Sequence, residues 1–232
     1  MFFNPQYLIF MAPAFLLMLI TSWYVKSAYQ KWSRVPARSR LTGSEAAQRL
    51  IARGGLYGIQ VQSVAGNLTD NYDPRDKVLH LSQNVANTAS VAAVAVAAHE
   101  LGHALQDADD YFPLRFRAAI VPAVSIGSWL GWIMIIAGLL LRLTNLAWLG
   151  ILVFSGGALF ALATLPVELN ASARAKRLLA DSGIVAGPDE QAGVNNVLNA
   201  AAFTYVAGLA SAILQLLYFV SMVGGMGGRR RS

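Results

Sequence analysis

Four long apolar stretches dominate this chain of 232 residues, at positions 7–25, 118–141, 146–167 and 200–223. A helix needs about 20 mainly apolar residues to cross a bilayer, and each stretch has roughly that length. The pattern therefore predicts an integral membrane protein with about four transmembrane helices. We expect the first stretch to remain as an uncleaved anchor, because no Lys or Arg precedes it and Trp23 and Tyr24 end it like an interfacial belt.

The polar part between the first and second stretches has the pattern of a small α+β segment. We expect a helix, a strand, a loop and a second strand, at positions 44–53, 57–64, 67–76 and 77–82. A capping box formed by Thr42 and Glu45 predicts the start of the helix. Alternating apolar residues predict the strands, and a run rich in Asn, Asp and Pro predicts the loop. An alanine-rich run that begins after Ser90 favours a further helix.

The alanine-rich run leads into His99, Glu100 and His103, which have the H-E-x-x-H spacing. On a helix the two histidines lie one turn apart on the same face, so both can bind one Zn²⁺. Glu100 then lies beside the metal, where it can take a proton from water. The chain has only three histidines, and two of them are in this motif. The motif therefore predicts a catalytic zinc site with His99 and His103 as ligands and Glu100 as general base.

A catalytic zinc ion usually has a third protein ligand, and the sequence leaves two candidates for it. The chain has no cysteine, and position 109, where a longer zinc motif has its third histidine, is Asp. Glu168 lies at the end of a predicted transmembrane stretch, where a charge is costly unless it has a function or a partner. Asp107 follows His103 by four residues, on the same helix face. We expect Glu168 to be the ligand and keep Asp107 as the alternative.

The uneven distribution of basic residues predicts the orientation in the membrane. The sequence has 18 Lys and Arg against 12 Asp and Glu, a net charge of +6. Seven of these basic residues lie within 26–53, whereas the link between the second and third stretches has only Arg142. By the positive-inside rule, segment 26–117 and its zinc motif face the cytoplasm, most simply in a bacterial inner membrane. The basic tail at 229–231 would then lie outside, against the rule. The charge reflects topology, and no nucleic-acid partner is expected.

Together these features predict a mainly α-helical membrane protein with about four transmembrane helices and a small zincin-like α+β segment, of gluzincin type, at the membrane surface. The expected parts are an N-terminal anchor (1–25), the α+β segment with the motif helix (26–117) and a transmembrane hairpin (118–167). After them come a helix that carries the third ligand with the loop after it (168–199), and a C-terminal transmembrane helix with its basic tail (200–232).

Four short segments carry a resemblance to a known family. They read T-D-N-Y-D-P-R, L-H-L-S, V-A-A-H-E-L-G-H-A-L-Q and P-V-E, at positions 69–75, 79–82, 96–106 and 166–168. These segments resemble the YugP-type membrane zinc metallopeptidases, and the resemblance covers most of the chain. It implies a zinc ion held by His99, His103 and Glu168, with Glu100 as general base.

Two positions depart from the patterns of related proteases. The family loop commonly reads Asp-His-Tyr-Asp-Pro, and Asn71 stands at the His position. The segment from Glu168 to Ser172 is similar to the E-x-x-A-D element of HtpX-type and prenyl-protein proteases, with Ser172 in place of Asp. Its hydroxyl can still hydrogen-bond a metal-bound histidine. Tyr72 and Arg75, in the polar loop before the motif, are candidates for contacts with the oxyanion or the substrate.

These features predict a membrane-embedded, zinc-dependent endopeptidase with one Zn²⁺ per chain, which acts on membrane or misfolded proteins. A catalytically silent zinc-binding scaffold or sensor is the alternative, and Glu100 argues against it because a structural zinc site needs no base. A transporter would need polar or broken helices at mid-membrane, whereas the interiors of the four apolar stretches carry no acid or base.

Overall fold

The computed structural model describes residues 5–228 and is mainly α-helical, as predicted. Its elements, in chain order, are α1 Pro5–Ser33, α2 Gly43–Arg53, β1 Gln60–Val64, β2 Asn71–Asp73, β3 Val78–Ser82, α3 Gln83–Asn87, α4 Val91–Ala108, α5 Phe112–Leu140, α6 Thr144–Phe154, α7 Gly156–Ser182 and α8 Pro188–Gly228. The chain forms two compact units. The sheet unit takes Ser22–Leu114 and Val167–Phe203, and the apolar unit takes the other described residues, 5–21, 115–166 and 204–228.

Four helices in the described part of the chain are long and apolar enough to cross a membrane, which confirms the predicted number. They are Pro5–Ser33, Phe112–Leu140, Thr144–Ser182 and Pro188–Gly225. The third of these candidate spans includes both α6 and α7. Each is longer than the apolar stretch that predicted it, because helical structure continues into the polar sequence beyond. The predicted basic tail at 229–231 lies outside the described residues.

The apolar unit is held together by close helix packing. Gly131 on α5 lies against Gly150 on α6, where a Cβ on Gly131 would be only 2.8 Å from the Gly150 carbonyl oxygen. Small residues allow such close approach between membrane helices. On α1, the ring of Tyr7 packs edge-on against Tyr218 of α8, with the ring centroids 5.2 Å apart. These contacts join α5 to α6, and α1 to α8, within this unit.

In the sheet unit, α2 begins with the predicted capping box. The Thr42 hydroxyl accepts a hydrogen bond from the Glu45 N–H, and the Glu45 carboxylate accepts one from the Thr42 N–H at 2.8 Å. Hydrogen bonding of the carboxylate to the Thr42 backbone, and to a lesser extent to its side chain, stabilises the ionised form and lowers the pKa of Glu45. One face of α2 is buried and carries Ala46, Ala47 and Leu50. This face packs on α4.

The sheet has the order β1-β3-β2, with β1 parallel and β2 antiparallel to the central β3. The predicted strands are present with slightly shorter bounds. The prediction of a continuous loop over 67–76 is wrong at its centre, because β2 pairs there with β3 and places Tyr72 opposite Leu79. The polar composition of this segment does not predict the three-residue strand. The strand forms by pairing with the free edge of β3, and that edge is supplied by residues elsewhere in the chain.

The motif helix α4 runs through the core of the sheet unit. Its N-cap is Ser90, whose hydroxyl accepts a hydrogen bond from the Ala93 N–H at 3.2 Å. Most residues of its alanine-rich first half are fully buried, because small side chains let α2, α3 and the sheet pack closely around the helix. This packing holds the second half of α4, which carries the motif, in a fixed position.

Candidate metal centre

Helices α4 and α7 bring three metal-binding side chains together. Nε2 of His99 and Nε2 of His103 each lie 3.4 Å from Oε2 of Glu168. The two imidazole rings are nearly perpendicular, with centroids 5.0 Å apart. The candidate ligand atoms of the three residues all lie within 4.8 Å of one another. Two residues one turn apart on α4 thus face a carboxylate that enters from α7.

The chemistry of this donor set fits a catalytic zinc ion. Two imidazole nitrogens and one carboxylate oxygen are a ligand set found in zinc peptidases, where a fourth position stays open for water or substrate. The Glu168 side chain is only 4% exposed, and those of His99 and His103 are 12% and 13% exposed. A carboxylate that is so deeply buried needs a compensating positive charge. A cation held between the three side chains would supply that charge.

The close approach of α7 to α4 depends on Gly102, which lies between the motif's Glu100 and His103. A Cβ at this position would be only 2.3 Å from the Ala171 carbonyl oxygen of α7. Ala171 itself is fully buried. The absence of a side chain at Gly102 therefore lets the α7 backbone rest on α4, and this brings Glu168 within reach of the histidines. Sequence reasoning had assigned no function to this glycine.

Each histidine is hydrogen-bonded through its other ring nitrogen. Nδ1 of His99 lies 3.2 Å from the Ser172 hydroxyl oxygen, and Nδ1 of His103 lies 3.0 Å from Oε1 of Gln106. Such bonds orient the imidazole rings and leave Nε2 directed at the metal position. Gln106 was missed as a site residue. Its signal in the sequence is its position three residues after His103 and seven after His99, which places it on the same face of α4 as both histidines.

Glu100 is half-buried beside this cluster. Burial raises the pKa of its carboxyl group, the neighbouring His99 and His103 oppose that effect, and the nearby carboxylate of Glu168 adds to it. Burial alone would lower the pKa of His103, but its contact with Glu168 and the charge of Glu100 outweigh burial and raise it. The ionisable groups of the motif and Glu168 are therefore close enough to influence one another.

Asp107, the alternative third ligand, has other partners. Its Oδ2 accepts hydrogen bonds from the Tyr72 hydroxyl, at 2.8 Å, and from the Lys77 ammonium group. Within residues 5–228, the group able to hold a metal consists of His99, His103 and Glu168, without Asp107.

The candidate oxyanion and substrate contacts lie on and after β2. Burial and the bond to Asp107 raise the pKa of Tyr72 strongly, so its hydroxyl stays protonated. The Arg75 side chain is exposed in the turn that follows β2, where its backbone N–H bonds Asp73. Asn71, at the position of the family histidine, is exposed on β2. The structure thus places Tyr72 in a hydrogen bond with the motif helix, and Arg75 at the surface.

Two histidines and a glutamate in one buried cluster, with a further glutamate in the H-E-x-x-H helix, have the composition of a zinc peptidase site. Comparison with known proteins agrees. The family described as "Putative neutral zinc metallopeptidase" matches residues 7–224. The chain is 45% identical over 196 residues to the "Putative membrane protease YugP" of Bacillus subtilis (strain 168). The aligned region covers 84% of this chain and 87% of that protein. No solved structure matches the chain.

The chain therefore belongs to the neutral zinc metallopeptidase family. It is a membrane zinc metallopeptidase with a His-His-Glu cluster as its candidate metal site. Family membership confirms the predicted class of enzyme and the predicted metal.

Proposed function

We propose that this chain is a zinc-dependent endopeptidase that holds one Zn²⁺ per chain between His99, His103 and Glu168. The observation that carries the proposal is the equal distance of 3.4 Å from Oε2 of Glu168 to Nε2 of each histidine. A zinc ion held there would act as a Lewis acid that polarises a scissile carbonyl group and lowers the pKa of water. Three protein ligands per chain account for one metal ion.

Glu100 supplies the proton transfers of the reaction. Its carboxylate accepts a proton from the water whose oxygen attacks the carbonyl carbon of the peptide bond. As the carbon–nitrogen bond breaks, Glu100 passes this proton to the leaving amine. The position of Glu100 supports this assignment, because its carboxyl group lies close enough to His99, His103 and Glu168 to sense their charges.

Tyr72 and Arg75 are proposed to contact the oxyanion or the substrate. The single hydroxyl proton of Tyr72 is donated to Asp107, so Tyr72 would have to exchange this partner for a developing oxyanion. Arg75 is exposed, and its long side chain can reach a peptide bound along the adjacent β2. Ser172 is proposed to orient the His99 ring through the bond to Nδ1.

We further propose that the substrates are extended segments of membrane or misfolded proteins, cleaved on the cytoplasmic side. Partial exposure of both histidines leaves the cluster accessible to a peptide. The dense basic block within 26–53 supports the cytoplasmic orientation. Long helices able to cross a membrane keep the site close to substrates in or on the bilayer.

The test compares purified, detergent-solubilised full-length protein with Glu100→Gln, Glu168→Gln and the control Asp181→Asn, an exposed acid on α7. Zinc content and cleavage of casein and of a peptide blocked at both ends are measured. We expect about one zinc in the wild type, as three protein ligands predict. Glu100→Gln should keep zinc and lose cleavage, Glu168→Gln should lose both, and Asp181→Asn should match the wild type.

Products are identified by mass spectrometry, since cleavage at internal bonds of the blocked peptide distinguishes an endopeptidase from an exopeptidase. If Glu100→Gln cleaves as well as the wild type, the assigned base is wrong. If the zinc-loaded wild type cleaves neither substrate, the hydrolytic proposal fails in favour of a zinc-binding scaffold.

A further inference from the structure

Gln106 is a buried polar side chain next to the proposed zinc site, and nothing in the hydrolytic steps requires it. It lies on α4, three residues after His103, and is fully buried. A primary amide has two N–H donors and one acceptor oxygen, and leaving them without partners in a buried position costs free energy. The partners of Gln106 therefore show what the side chain does.

The amide nitrogen of Gln106 faces α7. It lies 2.8 Å from the carbonyl oxygen of Val167 and 3.0 Å from Oδ1 of Asn170. A backbone carbonyl can only accept a hydrogen bond, so the group that faces Val167 must be the NH₂ of Gln106. These two acceptors lie on either side of Glu168 in the sequence. Gln106 thus binds the turn of α7 that carries the proposed third ligand.

The orientation of Asn170 is set in the same way. Nε of Arg174 donates to Oδ1 of Asn170 at 2.8 Å, and a guanidinium group has no acceptor. Arg174 also donates to the Leu105 carbonyl oxygen of α4 at 3.2 Å and forms an ion pair with Asp109. Asn170 therefore presents oxygen, rather than nitrogen, to Gln106. The network thus ends in the Val167 carbonyl oxygen, which can only accept a hydrogen bond, and in the Arg174 guanidinium group, which can only donate.

The direction of every bond in this network then determines the proton position on His103. With its NH₂ committed to α7, Gln106 presents Oε1 to Nδ1 of His103 at 3.0 Å. An amide oxygen only accepts, so Nδ1 must carry the proton. In the neutral ring Nε2 is then the unprotonated nitrogen, which is the atom that lies 3.4 Å from Glu168. Ser172 cannot impose this on His99, because a hydroxyl both donates and accepts.

We propose that Gln106 is a positioning residue with two linked functions: it holds His103 in the Nδ1–H tautomer, and it joins the motif helix to the α7 turn that carries Glu168. The proposal rests on the assignment of His103 and Glu168 as zinc ligands. Preorganisation of both ligands by one amide lowers the cost of assembling the site, so the metal-free protein already has the geometry that the metal requires.

Two substitutions separate the two functions. Gln106→Met has a similar volume and removes both the acceptor and the donors. Gln106→Glu keeps an acceptor for His103 but has no N–H for Val167 or Asn170. Gln191→Met, the same chemical change at an exposed position on α8, is the control. Thermal unfolding of each purified full-length variant shows whether it is folded before the other measurements are made.

The first measurement is the ¹⁵N solid-state NMR spectrum of histidine-labelled, metal-free protein in lipid at a pH where the imidazoles are neutral. For this measurement every protein also carries Glu168→Gln, because the Glu168 carboxylate lies 3.4 Å from Nε2 of His103 and would compete for a proton at that nitrogen. The chain has three histidines, so their signals are assigned by substituting His80 and His99 in turn. We expect wild type, Gln106→Glu and Gln191→Met to show His103 protonated at Nδ1, whereas Gln106→Met should show a tautomer mixture.

The second measurement is zinc affinity by chelator competition. Loss of an outer hydrogen-bond partner weakens metal binding by roughly 10–100-fold, which we expect for Gln106→Met.

Gln106→Glu should keep the tautomer and still bind zinc about 10-fold or more weakly, because its link to α7 is lost. The proposal is overturned if Gln106→Met keeps both the Nδ1–H tautomer and wild-type zinc affinity. Should Gln106→Met not fold, wild-type zinc affinity in Gln106→Glu would overturn the link to α7. The tautomer is read without metal or substrate, so it tests Gln106 even if the wild-type protein proves not to be a peptidase.

Discussion

At the scale of single residues, the two ring-orienting partners of the histidines differ in strength. Gln106 is fully buried and is held by two further groups, the Val167 carbonyl oxygen and Oδ1 of Asn170, whereas Ser172 offers His99 a single hydroxyl at 3.2 Å. Asp at the position of Ser172, as in the E-x-x-A-D element that this segment resembles, would accept the Nδ1 proton in a stronger, charge-assisted bond. The chain therefore orients His99 more weakly than His103.

This difference predicts opposite effects for two substitutions of Ser172. Ser172→Ala should weaken zinc binding about 10-fold, because the His99 ring loses its partner, and Ser172→Asp should bind zinc at least as tightly as the wild type. Zinc affinity is measured by chelator competition. The matched control is Ser182→Ala at the end of α7, where the hydroxyl donates to the Leu179 carbonyl oxygen and accepts from the Ile184 N–H. Wild-type affinity in Ser172→Ala would show that the hydroxyl does not orient the ligand.

At the scale of elements, the site depends on one helix crossing. The two histidines lie on α4 and Glu168 on α7, and the backbones of these helices meet at Gly102 and Ala171. Alanine at Gly102 would favour helix α4 locally, since Ala has a higher helix propensity than Gly. Steric conflict with the Ala171 carbonyl group acts in the opposite direction and separates the helices.

We expect the crossing to dominate, so Gly102→Ala should lose stability and zinc together. Overpacking of this kind costs about 1–3 kcal/mol, and displacement of Glu168 should weaken zinc binding at least about 10-fold. The matched control is Gly208→Ala on α8, where an added Cβ would meet nothing within 4 Å. Thermal unfolding and zinc content are measured for both. Equal behaviour of the two variants would show that the close crossing is not needed.

At the scale of the whole molecule, the arrangement of four candidate spans predicts a sidedness for the site. The sheet unit contains the seven basic residues within 26–53, whereas the link between α5 and α6 has a single basic residue, Arg142. Positive charge is retained on the cytoplasmic side during insertion. One crossing of the membrane separates segment 26–117 from this link, so we expect them on opposite sides.

The absence of cysteine makes this orientation directly testable. Single cysteines are introduced at Asp76, in the turn after β2, and at Leu143, between α5 and α6, both of which are exposed. A membrane-impermeant maleimide should label Leu143→Cys in intact spheroplasts and Asp76→Cys only in inverted vesicles. The reverse pattern would place the proposed active site outside the cytoplasm. Casein cleavage by each variant confirms that labelling reports on functional protein.

Some features of this protein follow from short stretches of sequence. The four apolar stretches predict four spans, because transfer into a bilayer depends on the composition of about 20 consecutive residues. The capping box of Thr42 and Glu45 lies within four positions, and the H-E-x-x-H spacing needs only one turn of helix. These features were visible in the sequence because the residues that create them are neighbours along the chain.

Other features were decided only by the tertiary structure. Strand β2 exists because a polar segment meets the free edge of β3, and composition alone predicted a loop there. The choice between Glu168 and Asp107 as the third member of the cluster, and the contacts of Gln106, depend on how α7 packs on α4. Gln106 and Val167 are 61 positions apart in the chain. Local propensity carries no information about such pairs, because their distance is set by the packing of Gly102 against Ala171 and by the core beneath α4.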